Sequence, residues 1–159
     1  MKTIILYCRR NVGLCVLSYL VAKGYEVKVI SDDETVLWMA EKLYCEVVTI
    51  EKMPEFDLFI CCHGDKIIDK KYLVEGKFIN IHPCLYKYPG KNPIGKYILN
   101  EDTDGTVESQ WLIEEVDGGE VIHKEEFSTP ICNSYAAFYN IALPYYLKTL
   151  EATLTKLKL

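Results

Sequence analysis

Apolar residues fall in short runs along the first half of the chain, separated by polar turns. Thr3-Ile4-Ile5-Leu6-Tyr7-Cys8 is continuous and β-rich, the pattern of a strand buried on both faces. Val12, Cys15, Val16, Tyr19 and Leu20 then recur at helical spacing up to Lys23, and Gly24 suits the residue just past a helix end. Glu26–Ile30 predicts a second strand. Ser31-Asp32-Asp33 can cap a helix running from about Glu34 to Tyr44. Glu46–Ile50 and Asp57–Cys62 predict the third and fourth strands. The order β, α, β, α, β, β is that of a doubly wound, mostly parallel sheet flanked by helices, an α/β fold.

Beyond this, the polar stretch His63-Gly64-Asp65-Lys66 is a loop, and Ile67–Val74 predicts a helical turn. Phe78–Pro83 predicts a fifth strand, ended by a proline that has no N–H for a ladder. Residues 84–92 form a proline- and glycine-rich loop, and such loops at strand ends more often carry function. Ile94–Leu99 predicts a helix and Asp104-Gly105 a turn. Val107–Val116 and Glu120–Phe127 read as strands joined at Asp117-Gly118-Gly119, a β-hairpin appended to the sheet. From Asn133-Ser134 a long helix runs to the end, with Pro144 expected to kink or restart it.

The 159 residues suit one domain with a sizeable core, spanning 1–159. Half the residues are hydrophobic, yet no run is long enough to span a bilayer. Met1-Lys2 leads into a strand pattern rather than a signal peptide. The net charge of −5 argues against coating nucleic acid, which needs Lys and Arg, while leaving room for a local anion site. The seven cysteines show no C-x-x-C spacing, so they read as reduced core thiols of a cytoplasmic protein, with no metal implied. The C-terminal Tyr and Leu stripe reads as core or as the face of a homodimer.

Chemistry concentrates on the fifth strand. Asn80 and His82 stand two apart, so both side chains leave the same face at the strand's exit, where α/β proteins build their sites. Asp117, on a glycine-hinged turn, adds a carboxylate. An amide, an imidazole and a carboxylate suit acyl transfer: one donates to an oxyanion, one moves a proton, one orients the proton mover. Cys84 follows closely, but no base is specified for it and this chemistry needs no covalent step. His63 reads as a structural residue and His123 as solvent-facing.

Three segments taken together, Asp57–Ile68, Asn80-Ile81-His82-Pro83 with its loop to Pro89-Gly90, and Val116-Asp117-Gly118-Gly119-Glu120-Val121-Ile122, resemble the N10-formyltetrahydrofolate-dependent formyltransferase family. The resemblance implies a Rossmann-like formyltransferase fold and Asn80, His82 and Asp117 as the catalytic residues. It implies N10-formyltetrahydrofolate as formyl donor, held largely through backbone groups of Asp65, Lys66, Ile68, Glu115 and Val116. The acceptor it implies is a primary amine on a small molecule, first a nucleotide-linked amino sugar, second glycinamide ribonucleotide. Two departures stand out. The Gly-Ser-Gly-like phosphate cradle of the family is replaced by Cys8-Arg9-Arg10-Asn11-Val12-Gly13, so anion binding falls to Arg9, Arg10 and Asn11. Gln110 stands where relatives have a histidine, and the chain is short for the family. Formyltetrahydrofolate hydrolysis and a catalytically weak folate-binding module are the two other readings of the same residues.

Overall fold

The structure, a computed structural model, describes residues 1–159. It is built on one seven-stranded sheet in the order β3-β2-β1-β4-β5-β6-β7. β1 (Thr3–Cys8), β2 (Glu26–Ile30), β3 (Glu46–Val47), β4 (Leu58–Cys62) and β5 (Phe78–Pro83) run parallel. β6 (Asp104–Trp111) and β7 (Val121–Ser128) are antiparallel additions beside β5. The helices are α1 (Arg10–Ala22), α2 (Glu34–Lys42), α3 (Pro93–Leu99) and α4 (Tyr135–Leu157). The side chain of Asp33 accepts from the N–H groups of Thr35 and Val36, capping α2, and Ser134 caps α4 through Ala137 N–H.

The two faces of the sheet are covered unequally. Every buried hydrophobic side chain of the four helices belongs to one 27-residue cluster, with Ile4, Leu6, Ile60, Ile79 and Ile81 of the sheet. The opposite face carries a seven-residue cluster around Ile5, Phe59 and Phe78. It is roofed by side chains such as Val48, Ile50, Met53, Phe56, Leu73 and Leu112, all outside the α-helices. The mostly parallel, helix-flanked sheet is as expected, with its helices gathered on one face, and β3 stops at Val47 instead of Ile50. Val48 N–H still bonds Val29 C=O, but the chain then turns into a 3-10 turn at Ile50–Lys52. That departure is what lays Ile50, Met53 and Phe56 over the small cluster.

Other boundaries shift for local reasons. Residues 67–74 hold only a 3-10 turn, Lys70–Tyr72. Asp104-Gly105 opens β6 rather than making a turn, because Phe127 of β7 packs over Gly105. β6 ends at Trp111, five residues earlier than expected: Leu112 N–H is taken by Phe78 C=O, and its side chain joins the small cluster. The link to β7 is therefore an irregular loop, residues 112–120, not a tight hairpin turn. Pro144 neither ends nor restarts α4, which is assigned as one helix of 23 residues.

Candidate active site

Parallel strands bring their C-terminal ends to one edge, and a cavity of about 860 Å³ opens there. Asn80 and His82 point from β5 to the face of the small cluster, beside Cys61 of β4. Asp117 reaches them from the 112–120 loop, with its own backbone in the left-handed region at φ 55°. The three residues separated in sequence therefore meet. Asp117 Oδ2 lies 3.4 Å from His82 Nε2, and Oδ1 lies 3.5 Å from Asn80 Nδ2.

Hydrogen-bond chemistry orients the imidazole. His82 Nδ1 is 2.8 Å from Pro83 O and Nε2 is 3.2 Å from Gly90 O. A carbonyl only accepts, so whichever ring nitrogen carries the proton donates to the carbonyl it faces, Pro83 O at Nδ1 or Gly90 O at Nε2. Nε2 stands beside Asp117 at the cavity wall, the atom placed to exchange a proton. The Asn80 amide, by contrast, is held only by the long contact to Asp117, so its N–H is free to donate to a developing oxyanion.

The carboxylate is fixed from two more directions. Gly90 N–H donates to Oδ2 at 2.6 Å and Gln110 Nε2 donates to Oδ1 at 2.7 Å. Gln110 is fully buried and sits opposite Asn80 in the β5–β6 register. Because its amide nitrogen must face the carboxylate, its Oε1 is left buried without a donor. Gly119 must be glycine: a Cβ there would stand 1.8 Å from Trp111 O. Behind the loop after β5, Glu108 is 1% exposed and accepts from Leu85 N–H at 3.0 Å and Thr106 O–H at 2.6 Å. Glu108 pairs with His82 in register, so it anchors the strand exit that carries the imidazole.

Around the rest of the cavity, the expected residues divide. Asp65, Lys66, Ile68 and Val116 line it. Ile67, Ile113 and Val116 are 71%, 45% and 56% exposed at its rim, an apolar lip that a flat ring could cover. Glu115 does not line the cavity; its side chain packs against Gly118 and its carbonyl accepts Gly118 N–H. Arg9 and Arg10 line it, whereas Asn11 does not, since α1 begins at Arg10 and turns Asn11 to solvent. Arg9 is already engaged, with Nε 2.8 Å from Asp32 Oδ1 and Nη1 3.3 Å from Asp65 Oδ2.

Several contributors lay outside the sequence reading. The Tyr7 hydroxyl donates to Asp65 Oδ1 at 2.5 Å and accepts from the N–H groups of Asp65 and Lys66, pinning the loop after β4. A lone aromatic hydroxyl at the end of the β1 apolar run is the only signal it left. His63 is not idle: it lines the cavity, and burial pushes its imidazole down to about 4, aided by the nearby positive charge of Arg10. His123 is half-buried and pairs with Glu125 at 2.7 Å. Burial pushes the Cys84 thiol up to about 11, which keeps it a thiol at neutral pH. No group of three or more His, Cys, Asp or Glu side chains is arranged to hold a metal ion. No helix is long and apolar enough to cross a membrane.

A family model described as formyl transferase matches residues 4–139. The chain belongs to the formyl transferase family. It is 32% identical over 114 residues to methionyl-tRNA formyltransferase of Borrelia hermsii, a match covering 69% of this chain and 37% of that protein. The chain thus spans little more than a third of the length of the curated relatives it matches. Phosphoribosylglycinamide formyltransferase of Streptococcus pneumoniae superposes with a TM-score of 0.82 at 20% identity, covering 100% of both chains. An N-formyltransferase of Helicobacter canadensis, in complex with folinic acid and dTDP-3-aminofucose, superposes at 0.81 and 21% identity, covering 99% of this chain and 65% of that one. At such identities the two structures share the fold with this formyl transferase family member.

Proposed function

We propose that the protein transfers a formyl group from N10-formyltetrahydrofolate to a primary amine of a small molecule. The observation that supports this most is the meeting of Asn80, His82 and Asp117 in one cavity. Attack of an amine on a formyl carbon puts negative charge on the formyl oxygen, and Asn80 Nδ2 has an N–H to give it. The new C–N bond forms as the bond to the donor nitrogen breaks, and one proton must pass from the attacking amine to the leaving nitrogen. His82 Nε2 serves that transfer, and Asp117 offsets the positive charge the ring gains. The formyl donor is a substrate here. Its flat ring suits the apolar end of the cavity, between the loops that carry Ile67, Ile68, Ile113 and Val116.

The acceptor we favour is a nucleotide-linked amino sugar, with glycinamide ribonucleotide second. Methionyl-tRNA, named in the curated relatives, fits poorly with the net charge of −5. Tetrahydrofolate release from N10-formyltetrahydrofolate, followed with water alone and with each of these acceptors, tests the reading. Turnover that requires a small amine is expected. Formate release in water alone would assign a hydrolase, and donor binding without any turnover would assign a folate-binding module.

A further inference from the structure

The helix-side wall of the cavity holds a chain of three polar side chains that the trio does not use. His63 leaves β4 with its backbone in the left-handed region at φ 62°. Its Nε2 is 2.8 Å from the hydroxyl of Tyr146, and its Nδ1 is 3.3 Å from the hydroxyl of Tyr139, both on α4. Tyr146 is fully buried and His63 Nε2 is the one hydrogen-bond partner of its hydroxyl. A buried O–H without an acceptor is costly, so Tyr146 donates and Nε2 accepts. A neutral imidazole then carries its proton on Nδ1 and donates to Tyr139. The oxygen of Tyr139 is thereby an acceptor toward the protein, and its own hydrogen is left for the cavity, which Tyr139 lines. Burial keeps His63 neutral, which fixes this direction across the neutral range.

Beside Tyr139 the cavity wall carries two cations that no carboxylate pairs, and one of them, Arg10, reaches the Tyr139 oxygen. Arg9 is held by Asp32 and Asp65, but Arg10 and Lys91 line the cavity and make no ion pair. The left-handed backbone of Arg10, at φ 61°, is maintained while its N–H bonds Asp33 Oδ2 at 2.9 Å. Strain of this kind in a non-glycine residue gathers at ligand sites. One oriented hydroxyl donor with two cations that lack a carboxylate suits more than one negative charge.

We propose that the Tyr139 hydroxyl, oriented by the buried Tyr146–His63 relay, is a specificity-determining hydrogen-bond donor to a phosphoryl group of the acceptor. This rests on the formyl-transfer reading only for the word acceptor; the phosphoryl subsite itself can be tested without turnover. Titration calorimetry with dTDP as probe compares the wild type with Tyr139→Phe and Tyr146→Phe. Binding of dTDP should weaken about tenfold in Tyr139→Phe, the size of one hydrogen bond to a charged group, and less in Tyr146→Phe. Binding of 5-formyltetrahydrofolate should move less than twofold in both, which a general loss of structure would not allow. In turnover, Tyr139→Phe should raise KM for a phosphorylated amine and leave KM for the formyl donor within twofold. Equal dTDP affinity in wild type and Tyr139→Phe, or no dTDP binding by the wild type, overturns the proposal. Absence of formyl transfer to any amine overturns the functional reading instead and leaves the dTDP comparison intact.

Discussion

β1 and β5 end at the same edge of the same sheet, and both deliver polar side chains to one cavity, but they employ them differently. At the β5 exit, Asn80 is held by a single 3.5 Å contact and His82 Nε2 stands at the wall with a carboxylate beside it. At the β1 exit, Arg9 is clamped between Asp32 and Asp65, and Tyr7 spends its hydroxyl on the neighbouring loop. The β5 exit presents groups whose capacity is unspent; at the β1 exit Tyr7 and Arg9 hold loops in place, and Arg10 alone lacks a carboxylate. Position at a topological switch point therefore marks where chemistry can occur, and the unspent hydrogen-bonding capacity marks which groups do it.

The largest test of this contrast is at β5. His82→Ala should lower kcat by about 10²–10⁴, the range for losing a positioned proton mover. Its melting temperature and its affinity for 5-formyltetrahydrofolate should stay near those of the wild type, because the imidazole bonds only the Pro83 and Gly90 carbonyls and Asp117. Wild-type turnover in this variant would remove the trio from the mechanism. Asn80→Ala should cost about 10²–10³ in kcat by the loss of one oxyanion donor.

Much of the β5 exit was legible because its signal is contiguous. The alternation in Phe78–Pro83 fixes the face of Asn80 and His82, and the proline fixes the exit. The β1 exit was not, because what decides the role of Arg9 is two carboxylates arriving from other loops. Asn11 looked like part of the same polar cluster, yet a helix starting at Arg10 turns it away from the cavity. Glu115 stands outside the cavity lining because the hairpin is not tight: Leu112 leaves the ladder to cover the small cluster, which lengthens the loop and turns Glu115 onto Gly118. The His63 relay needed residues from β4's exit and from two turns of α4, which no local pattern joins.

That relay gives a pH test of intermediate size. His63 is held down to about 4 by burial, against an ordinary value of 6.5. Between those values the unfolded chain binds a proton that the folded protein refuses. Stability is therefore full above pH 6.5 and falls as the pH drops toward 4, by about 3 kcal/mol for this group. Urea unfolding at pH 7 and pH 4 should show this loss in the wild type. His63→Phe should show it reduced by that amount, with the slope between pH 6.5 and 4 flattened. An unchanged slope in the variant would mean that the imidazole is free to ionise in the fold.

The loop that carries Asp117 offers a smaller test. Gly119→Ala places a Cβ against the rigid backbone of Trp111, so the loop must move and stability should fall by about 1–3 kcal/mol. Gly118→Ala meets only the flexible side chain of Glu115 and should cost less than about 1 kcal/mol. The kcat of Gly119→Ala should drop with the displacement of Asp117, and Gly118→Ala should retain more of it. Equal kinetics in the two variants would mean that the loop's position does not set the carboxylate.

The smallest effect separates the two exits most sharply. Arg9 is 31% exposed, and its partners Asp32 and Asp65 are 52% and 34% exposed, so solvent screens both pairs. Pairs this open contribute about 0.2–1 kcal/mol each, and Arg9→Ala should shift the urea midpoint only slightly. Asp65 remains tied to Tyr7, so the loop after β4 loosens without detaching, and KM for the formyl donor should rise modestly. KM for a phosphorylated acceptor should change less in Arg9→Ala than in Arg10→Ala, since the Arg10 guanidinium has no carboxylate to satisfy it. The reverse order would mean that a phosphate displaces Asp32 and Asp65 from Arg9. The β1 exit would then be a ligand site of the same kind as β5, with its charges paired only until the acceptor arrives.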